Sequence, residues 1–489
     1  FTALLAKKKA GLDMASQQHS KGRHTLAVIA GPAAFAFILL AGQNLFGFKQ
    51  AAALGTIVWM GLWWITTPVH ISVTALLPIV VNAFFNLVPM GGVVSQYFSE
   101  IIVLLLGADL ICLTWTVTGL DKRLSLKTLC LIGPSLKQQI LVWLFASTIL
   151  SIFLPNAVVC TIMLPVAVSM LKFVGEKDMQ TSKLAVPILL AITWGAGIGG
   201  FGSPLGGAAN LVGISYIEQL TGREFMYIEW VIRFLPILFI IMLVNLFYLY
   251  SIKLPVDHVN GTKSYFKETY DKLGKMGRGE TLSLVLFVSA TVLAFVRPLY
   301  AGILPGMKPS YVFLTLGIVA FLLKDEKDKP LITWPQAVSG VMWGMFILFG
   351  GGLALGKIVT DTGAAAKLAE LIAQTNLTGG LGTVALFVVF SCGLSEISSN
   401  TGAAAICCPV VISIAQALGL NPLPYLFVTI IGFNNAYILP VSIRAITVGY
   451  GLSPAVMMKH GVRLALCTMT VITLLSYVLI NYWPLFNKV

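Results

Sequence analysis

Residues 398–411 read SSNTGAAAICCPVV, and residues 155–166 read PNAVVCTIMLPV. Each stretch sets an Asn nine residues before a Pro, Asn156 before Pro165 and Asn400 before Pro409, and the two asparagines are 244 positions apart. The same interval separates Thr118-Gly119 from Thr362-Gly363, and Gly107 from Gly351. Matches that recur in one order point to two equivalent units. Each has a Gly-rich first part, a polar break and an Asn-to-Pro segment, and paired halves of this kind are a common construction among transporters.

Composition decides the solvent. With 57% hydrophobic and 10% charged residues, a chain of 489 residues cannot cover itself with a water-compatible surface. Apolar segments recur along its length, and several exceed the ~20 residues that span a hydrocarbon core, so they hold two crossings, a broken helix or a re-entrant hairpin. The expectation is an all-α polytopic membrane protein with about eleven transmembrane helices plus two re-entrant hairpins in inverted repeats.

The net charge of +13 would suggest nucleic acid in a soluble chain. Here the basic residues lie mainly between apolar segments and orient the protein, so no nucleic-acid partner is expected. Lys7, Lys8, Lys9, Lys21 and Arg23 precede the first span, and Lys263, Lys267, Lys272, Lys275 and Arg278 fill a hydrophilic insertion. Both are cytoplasmic by the positive-inside rule. The organisation read from this is a cytoplasmic tail at 1–24, a first half at 25–253 with its hairpin motif near Asn156, a cytoplasmic linker at 254–280, and a second half at 281–489 with its motif near Asn400. The linker is either an amphipathic helix lying on the bilayer through Phe266 and Tyr270, or a solvated connection.

After each Asn motif comes a segment that no helix crosses smoothly: TWGAGIGGFGSPLGGAAN at 193–210 and NNAYILPVSIR at 434–444. Backbone groups freed at membrane depth must face protein or a watery cavity, where they build sites for anions and ions. Two breaks per half imply one composite site near mid-membrane. Gly195, Gly197 and Gly200 also fit a dinucleotide fingerprint with Glu218 beyond, but that motif needs a strand-to-helix turn, and this run lies inside a hydrophobic segment. Ser203 lacks a nucleophile elbow, the seven cysteines show no metal-ligand spacing and the five histidines are scattered. No enzyme, metal or cofactor is expected.

WWITTPVHISVTALLP (63–78), LFGGGLALGKIVTDTG (348–363), GGFGSPLGGAAN (199–210) and the paired Asn motifs together resemble the divalent anion/sodium symporter family, and its exchanger branch in particular. The resemblance spans Trp63 to Val448. It implies a homodimer with a scaffold domain and a transport domain, two hairpins carrying Ser-Asn-Thr motifs to the bilayer midplane, and elevator-like movement of dicarboxylates, citrate or sulfate. The substrate-binding residues it implies are Asn156 and Ala157 at the first tip, Ser399, Asn400 and Thr401 at the second, and Ser203, Pro204, Asn210, Ser442 and Arg444 in the breaks. The physical reading agrees. A carboxylate can accept hydrogen bonds from the Asn400 amide, the Thr401 hydroxyl and backbone N–H groups at a half-helix N-terminus, while Asn156 meets the other end of a dianion. A helix cap or an interhelical hydrogen bond is the structural alternative for each Asn.

The sequence departs from the sodium-coupled pattern at Pro155-Asn156-Ala157, which lacks both hydroxyls of Ser-Asn-Thr. It also reads Gly207-Ala208-Ala209-Asn210 in place of Thr-Pro-Pro-Asn, and Ser442-Ile443-Arg444 in a shortened second segment. Sodium, a hard cation, wants several oxygen ligands. Arg444 either replaces it as a fixed positive charge, which makes an empty carrier reluctant to reorient and enforces exchange, or forms a structural pair with Glu396, or reaches the interface. Asp109, Lys357, Asp361 and His70 are expected at helix ends or between helices. The resulting expectation is sodium-independent, elevator-type exchange of small dicarboxylates such as succinate, malate, fumarate or 2-oxoglutarate, in a bacterial plasma membrane or a plastid inner envelope. A sodium-coupled symporter of the same fold and an anion channel are the alternatives.

Overall fold

The computed structural model describes residues 2–488 apart from 132, 177, 255, 260, 261, 365, 368–377, 398 and 441, with backbone only for 2–23, 65, 101, 208, 262 and 263. Ser398 therefore lies outside the described residues, as do the side chains of Lys7, Lys8, Lys9, Lys21, Arg23, Ala208 and Lys263. The described residues form helices and no β-strand. Among the described residues ten helices are long and apolar enough to cross a membrane, and four shorter apolar helices lie at 71–85, 309–319, 381–397 and 422–433. The first helix runs Thr2–Phe46, so the backbone of the N-terminal segment continues into the first span.

Both Asn motifs sit where one helix ends and the next begins. Leu136–Phe153 stops because Pro155 disfavours helical backbone at Leu154, which is extended at φ −116°. The second arm then starts at Asn156 and runs to Phe173. In the second half Leu381–Ile397 is followed by Asn400–Ala417, with Ser399 extended at φ −86° between them. Asn156–Phe173 and Asn400–Ala417 coincide at both ends under the 244-residue shift, and each carries an internal Pro, Pro165 and Pro409, that removes one ladder donor.

The other repeated residues also have matching uses. A Cβ on Gly107 would lie 2.3 Å from Leu314 N, and one on Gly351 2.1 Å from Ala75 O, so each glycine lets its helix touch the backbone of the apolar segment beside it. Behind the tips, the segments that the sequence marks as broken are broken. Ala185–Gly199 passes into a 3₁₀ turn at Gly200–Gly202 and restarts as Ala208–Thr221, while Pro422–Phe433 stops and restarts as Ile443–Gly449.

The 254–280 linker rests on protein. Its helix, Thr262–Asp271, buries Phe266 against Trp143, with ring centroids 5.9 Å apart. Arg123 donates to the carbonyls of Leu273, Gly274 and Lys275 at 3.2, 2.8 and 3.3 Å and pairs with Glu280 at 2.8 Å. Two backbone bonds, Leu136 N–H to Asp257 O at 2.9 Å and Val259 N–H to Pro134 O at 2.7 Å, pin the start of the segment. The helix is amphipathic as read, but its apolar face covers Trp143 and leaves nothing of Phe266 for a bilayer.

Candidate functional site

Each hairpin tip holds the same small polar cluster. Ser151 Oγ lies 2.7 Å from Ala196 O and 3.0 Å from Asn156 Oδ1, sharing its proton between them. Ser395 Oγ lies 2.6 Å from Phe433 O and 2.9 Å from Asn400 Oδ1. Both serines stand five residues before their Asn, so they obey the 244-residue interval too. Sequence reading missed them; extending the repeat search a few residues upstream would have found them. Asn156 Nδ2 donates weakly to Gly197 O at 3.4 Å. At the second tip Ser399 caps its helix by accepting from Gly402 N–H at 3.1 Å. At the first tip Pro155 stands in that place and caps nothing with a side chain.

The broken segments meet behind the tips. Asn210 donates to Gly200 O at 2.8 Å and to Ser203 O at 2.9 Å, and accepts from Asn434 Nδ2 at 2.9 Å. One amide therefore ties the break of the first half to that of the second. Ser203 Oγ donates to Ile152 O and accepts from Leu205 N–H at 3.2 Å and Gly206 N–H at 3.3 Å. Ser203, Pro204 and Asn210 were expected to touch substrate; they are not among the residues that line the cavity, and the polar atoms of Ser203 and Asn210 are spent on holding the loop together.

The second break is clamped by opposite charges. The Glu396 carboxylate accepts from three consecutive backbone amides, Tyr437, Ile438 and Leu439, the last two at 2.9 and 3.2 Å. Arg444 donates to Ala436 O at 2.9 Å and to Leu439 O, and its Nη2 lies 3.6 Å from Glu396 Oε2. The side chains are 3% and 6% exposed, so a loop without regular hydrogen bonding is held from both polarities inside the protein. Arg444 thus has the Glu396 partner that was one of its alternatives. Ser442 just before it has φ 57°, a conformation that a non-glycine residue holds only when its surroundings enforce it.

These parts enclose a cavity of about 290 Å³. Seven of the ten expected residues line it: Asn156, Ala157, Ser399, Asn400, Thr401, Ser442 and Arg444. Asn434 and Gly197 from the breaks join them, with Trp64, Phe287, Met345 and Phe346 among the apolar walls. Asp109, expected at a helix end or between helices, lines the same cavity, held by a long hydrogen bond of 3.4 Å from Met342 N–H. His70 caps the short helix Ile71–Thr74, and Lys357 pairs with Asp361 at 2.7 Å, both away from the cavity. Among the described residues no His, Cys, Asp and Glu group could hold a metal, and the seven cysteines are unbridged. Two half-helix N-termini, two Asn amides, a Thr hydroxyl and a guanidinium facing one space suit an anion with two charged ends.

Among the described residues, ten candidate spans and a largely apolar cavity into which the helix breaks bring a few polar groups describe a multi-pass membrane protein built to hold a small polar solute. The chain belongs to the citrate transporter family, whose model matches residues 62–432 and again 300–485. It is 28% identical over 474 residues to the sodium-dependent dicarboxylate transporter SdcS of Staphylococcus saprophyticus, covering 93% of this chain and 91% of that protein. The SdcS of Staphylococcus aureus strain NCTC 8325 is 28% identical over 471 residues, covering 92% and 90%. The fold is similar to that of the Alcanivorax borkumensis YdaH transporter, with a TM-score of 0.53 at 12% identity over 84% of this chain and 90% of that one. The resemblance is met at the level of the family, while the relatives named here are sodium-dependent and do not mark the exchanger branch; the chain is a transporter, not an enzyme.

Proposed function

We propose that this transporter is a secondary carrier of small dicarboxylates that binds one dianion between its two hairpin tips. The observation that carries the reading is that Asn156, Asn400, Thr401 and Arg444, from both halves of the chain, line one cavity. Each carboxylate would take an Asn amide and the N-terminal amides of a half-helix. The chemistry accounts for two ends of like charge at a fixed separation, and the relatives named as dicarboxylate transporters support the substrate class. The two halves act as inverted repeats in a homodimer in a bacterial plasma membrane, with tips and breaks moving as one transport domain past a scaffold, as the family resemblance implies.

For coupling we infer sodium-independent exchange. Pro155 and Ala157 supply no hydroxyl at the first tip, and Arg444 supplies a permanent positive charge. Sodium-coupled symport is a second reading with two supports of its own. The relatives are named sodium-dependent, and each tip gathers Ser, Asn and carbonyl oxygens, at Ser151, Asn156 and Ala196 and at Ser395, Asn400 and Phe433. The Glu396 partner also lowers the cost of an empty site, which weakens the force toward strict exchange.

Proteoliposomes separate the readings. Exchange predicts equal uptake of labelled dicarboxylate in sodium and in choline when vesicles are loaded with unlabelled dicarboxylate, and near-background uptake when they are empty. Strong sodium stimulation into empty vesicles establishes symport instead, and conductance without substrate on the far side establishes a channel.

A further inference from the structure

Asp109 lies in the interior of the apolar helix Glu100–Thr118 and faces the same cavity as Arg444. Its carboxylate accepts one long hydrogen bond, from Met342 N–H at 3.4 Å, and has no ion pair among the described residues. The ionisable groups on the elements packed around it are engaged elsewhere. Lys308 and Tyr311 meet Glu100, Arg123 pairs with Glu280, Lys357 with Asp361, and Glu218 accepts from Phe225 N–H. Tyr216 lies against Gly356, Tyr97 donates to Ala75 O, and Asp121, Lys122, Lys127 and Arg278 belong to other helices that begin past or beside this one's end. Cys112 lies beside Asp109 on its own helix. Arg444 is therefore the other charged side chain lining the cavity among the described residues, and it already faces Glu396.

We propose that Asp109 is a proton-binding site: a proton from solvent joins its carboxylate as a dicarboxylate enters, so that dianion and proton occupy the cavity together. The inference rests on the dicarboxylate reading above. With Asp109 ionised, a bound dianion places three carboxylates in about 290 Å³ opposite one guanidinium. Two like charges ~6 Å apart at an effective dielectric of ~20 weaken binding roughly a hundredfold. A proton removes that repulsion. It also turns Asp109 from an acceptor that a carboxylate cannot use into an O–H donor that it can. Asp109 is well placed for this because its one backbone contact orients it without neutralising it.

The test uses the full chain in lipid nanodiscs with fumarate, whose two carboxyls stay ionised near neutral pH, so any proton taken up belongs to the protein. Calorimetry in two buffers of different ionisation enthalpy counts that proton. The expected result is net proton uptake on fumarate binding that grows toward one proton per fumarate as pH is raised, with affinity falling by up to tenfold per unit at the alkaline end. Asp109→Asn, which mimics the protonated group, is expected to bind without proton uptake and without the pH slope. Wild-type binding with no proton uptake overturns the proposal, and so does an Asp109→Asn protein that keeps the wild-type uptake. The wild-type count decides even if that variant misfolds, and Asp109→Glu, which keeps a titrating carboxyl, is expected to retain the uptake. Failure to bind fumarate or any other dicarboxylate at every pH overturns the substrate reading itself, a result distinguishable from binding without a proton.

Discussion

Replacing Glu396 with Gln should cost more stability than replacing its partner Arg444 with Gln, although both changes break the same ion pair. Three backbone amides converge on the Glu396 carboxylate. A Gln side chain keeps one acceptor oxygen and turns an NH₂ group toward the rest, so at least one buried N–H loses its partner while Arg444 is left charged and unpaired. Removing one partner of a buried pair in this way costs about 3–5 kcal/mol. In Arg444→Gln the carboxylate keeps its three amides and stays satisfied. The Gln amide can keep one of the two bonds to Ala436 O and Leu439 O, so the loss is one charge-assisted hydrogen bond, about 1.5–3 kcal/mol. Denaturation of the purified protein in detergent, followed by tryptophan fluorescence, measures the two differences. The double variant should cost less than the two singles added, because no unpaired charge remains. If Arg444→Gln proves the more damaging change, the amides are not what holds Glu396, and the clamp described here is wrong.

Asn156→Ala and Asn400→Ala should each insert normally and weaken dicarboxylate binding roughly 10- to 150-fold, the equivalent of one charge-assisted hydrogen bond of about 1.5–3 kcal/mol; unchanged affinity in either variant makes that Asn a purely structural cap. Gly206→Ala should abolish transport, since the new Cβ would lie 2.3 Å from Ser151 O and 2.7 Å from Gly200 O, both backbone atoms that cannot yield without moving the first tip. Wild-type transport rates in that variant would disprove the close approach. Phe266→Ala should release the linker helix, with a cost of up to about 3–5 kcal/mol for a buried ring. Limited proteolysis at 254–280 should then quicken while substrate binding persists, and equal protection of both proteins would show that the Trp143 contact does not hold it.

The 244-residue interval carried much of the fold. It set Asn156 and Asn400 at equivalent positions, and each opens a helix because Pro155 or an extended Ser399 stops the one before it. The broken segments were legible for the same reason: glycine runs and Pro204 or Pro440 cannot sustain a helix. Side-chain direction was not legible. Ser203 and Asn210 looked as suitable for substrate as Asn156, and only the path of the loop turns them inward to Gly200, Ile152 and Asn434. The reverse happened at Asp109, which seemed a bystander because nothing in its own helix marks the face that meets the cavity. Of the two readings of the linker, a bilayer-lying helix or a solvated connection, the helix is present, but a sequence does not say whether lipid or Trp143 will cover Phe266.

Whether one dianion bridges the two hairpin tips is decided by an experimental structure of the carrier in nanodiscs with a saturating dicarboxylate. The expected density is a single molecule in the cavity, one carboxylate within hydrogen-bonding distance of Asn156, the other of Asn400 and Thr401, with Arg444 beside it. A dicarboxylate bound elsewhere, or one that contacts a single tip and leaves the other Asn engaged only with its serine, would contradict it.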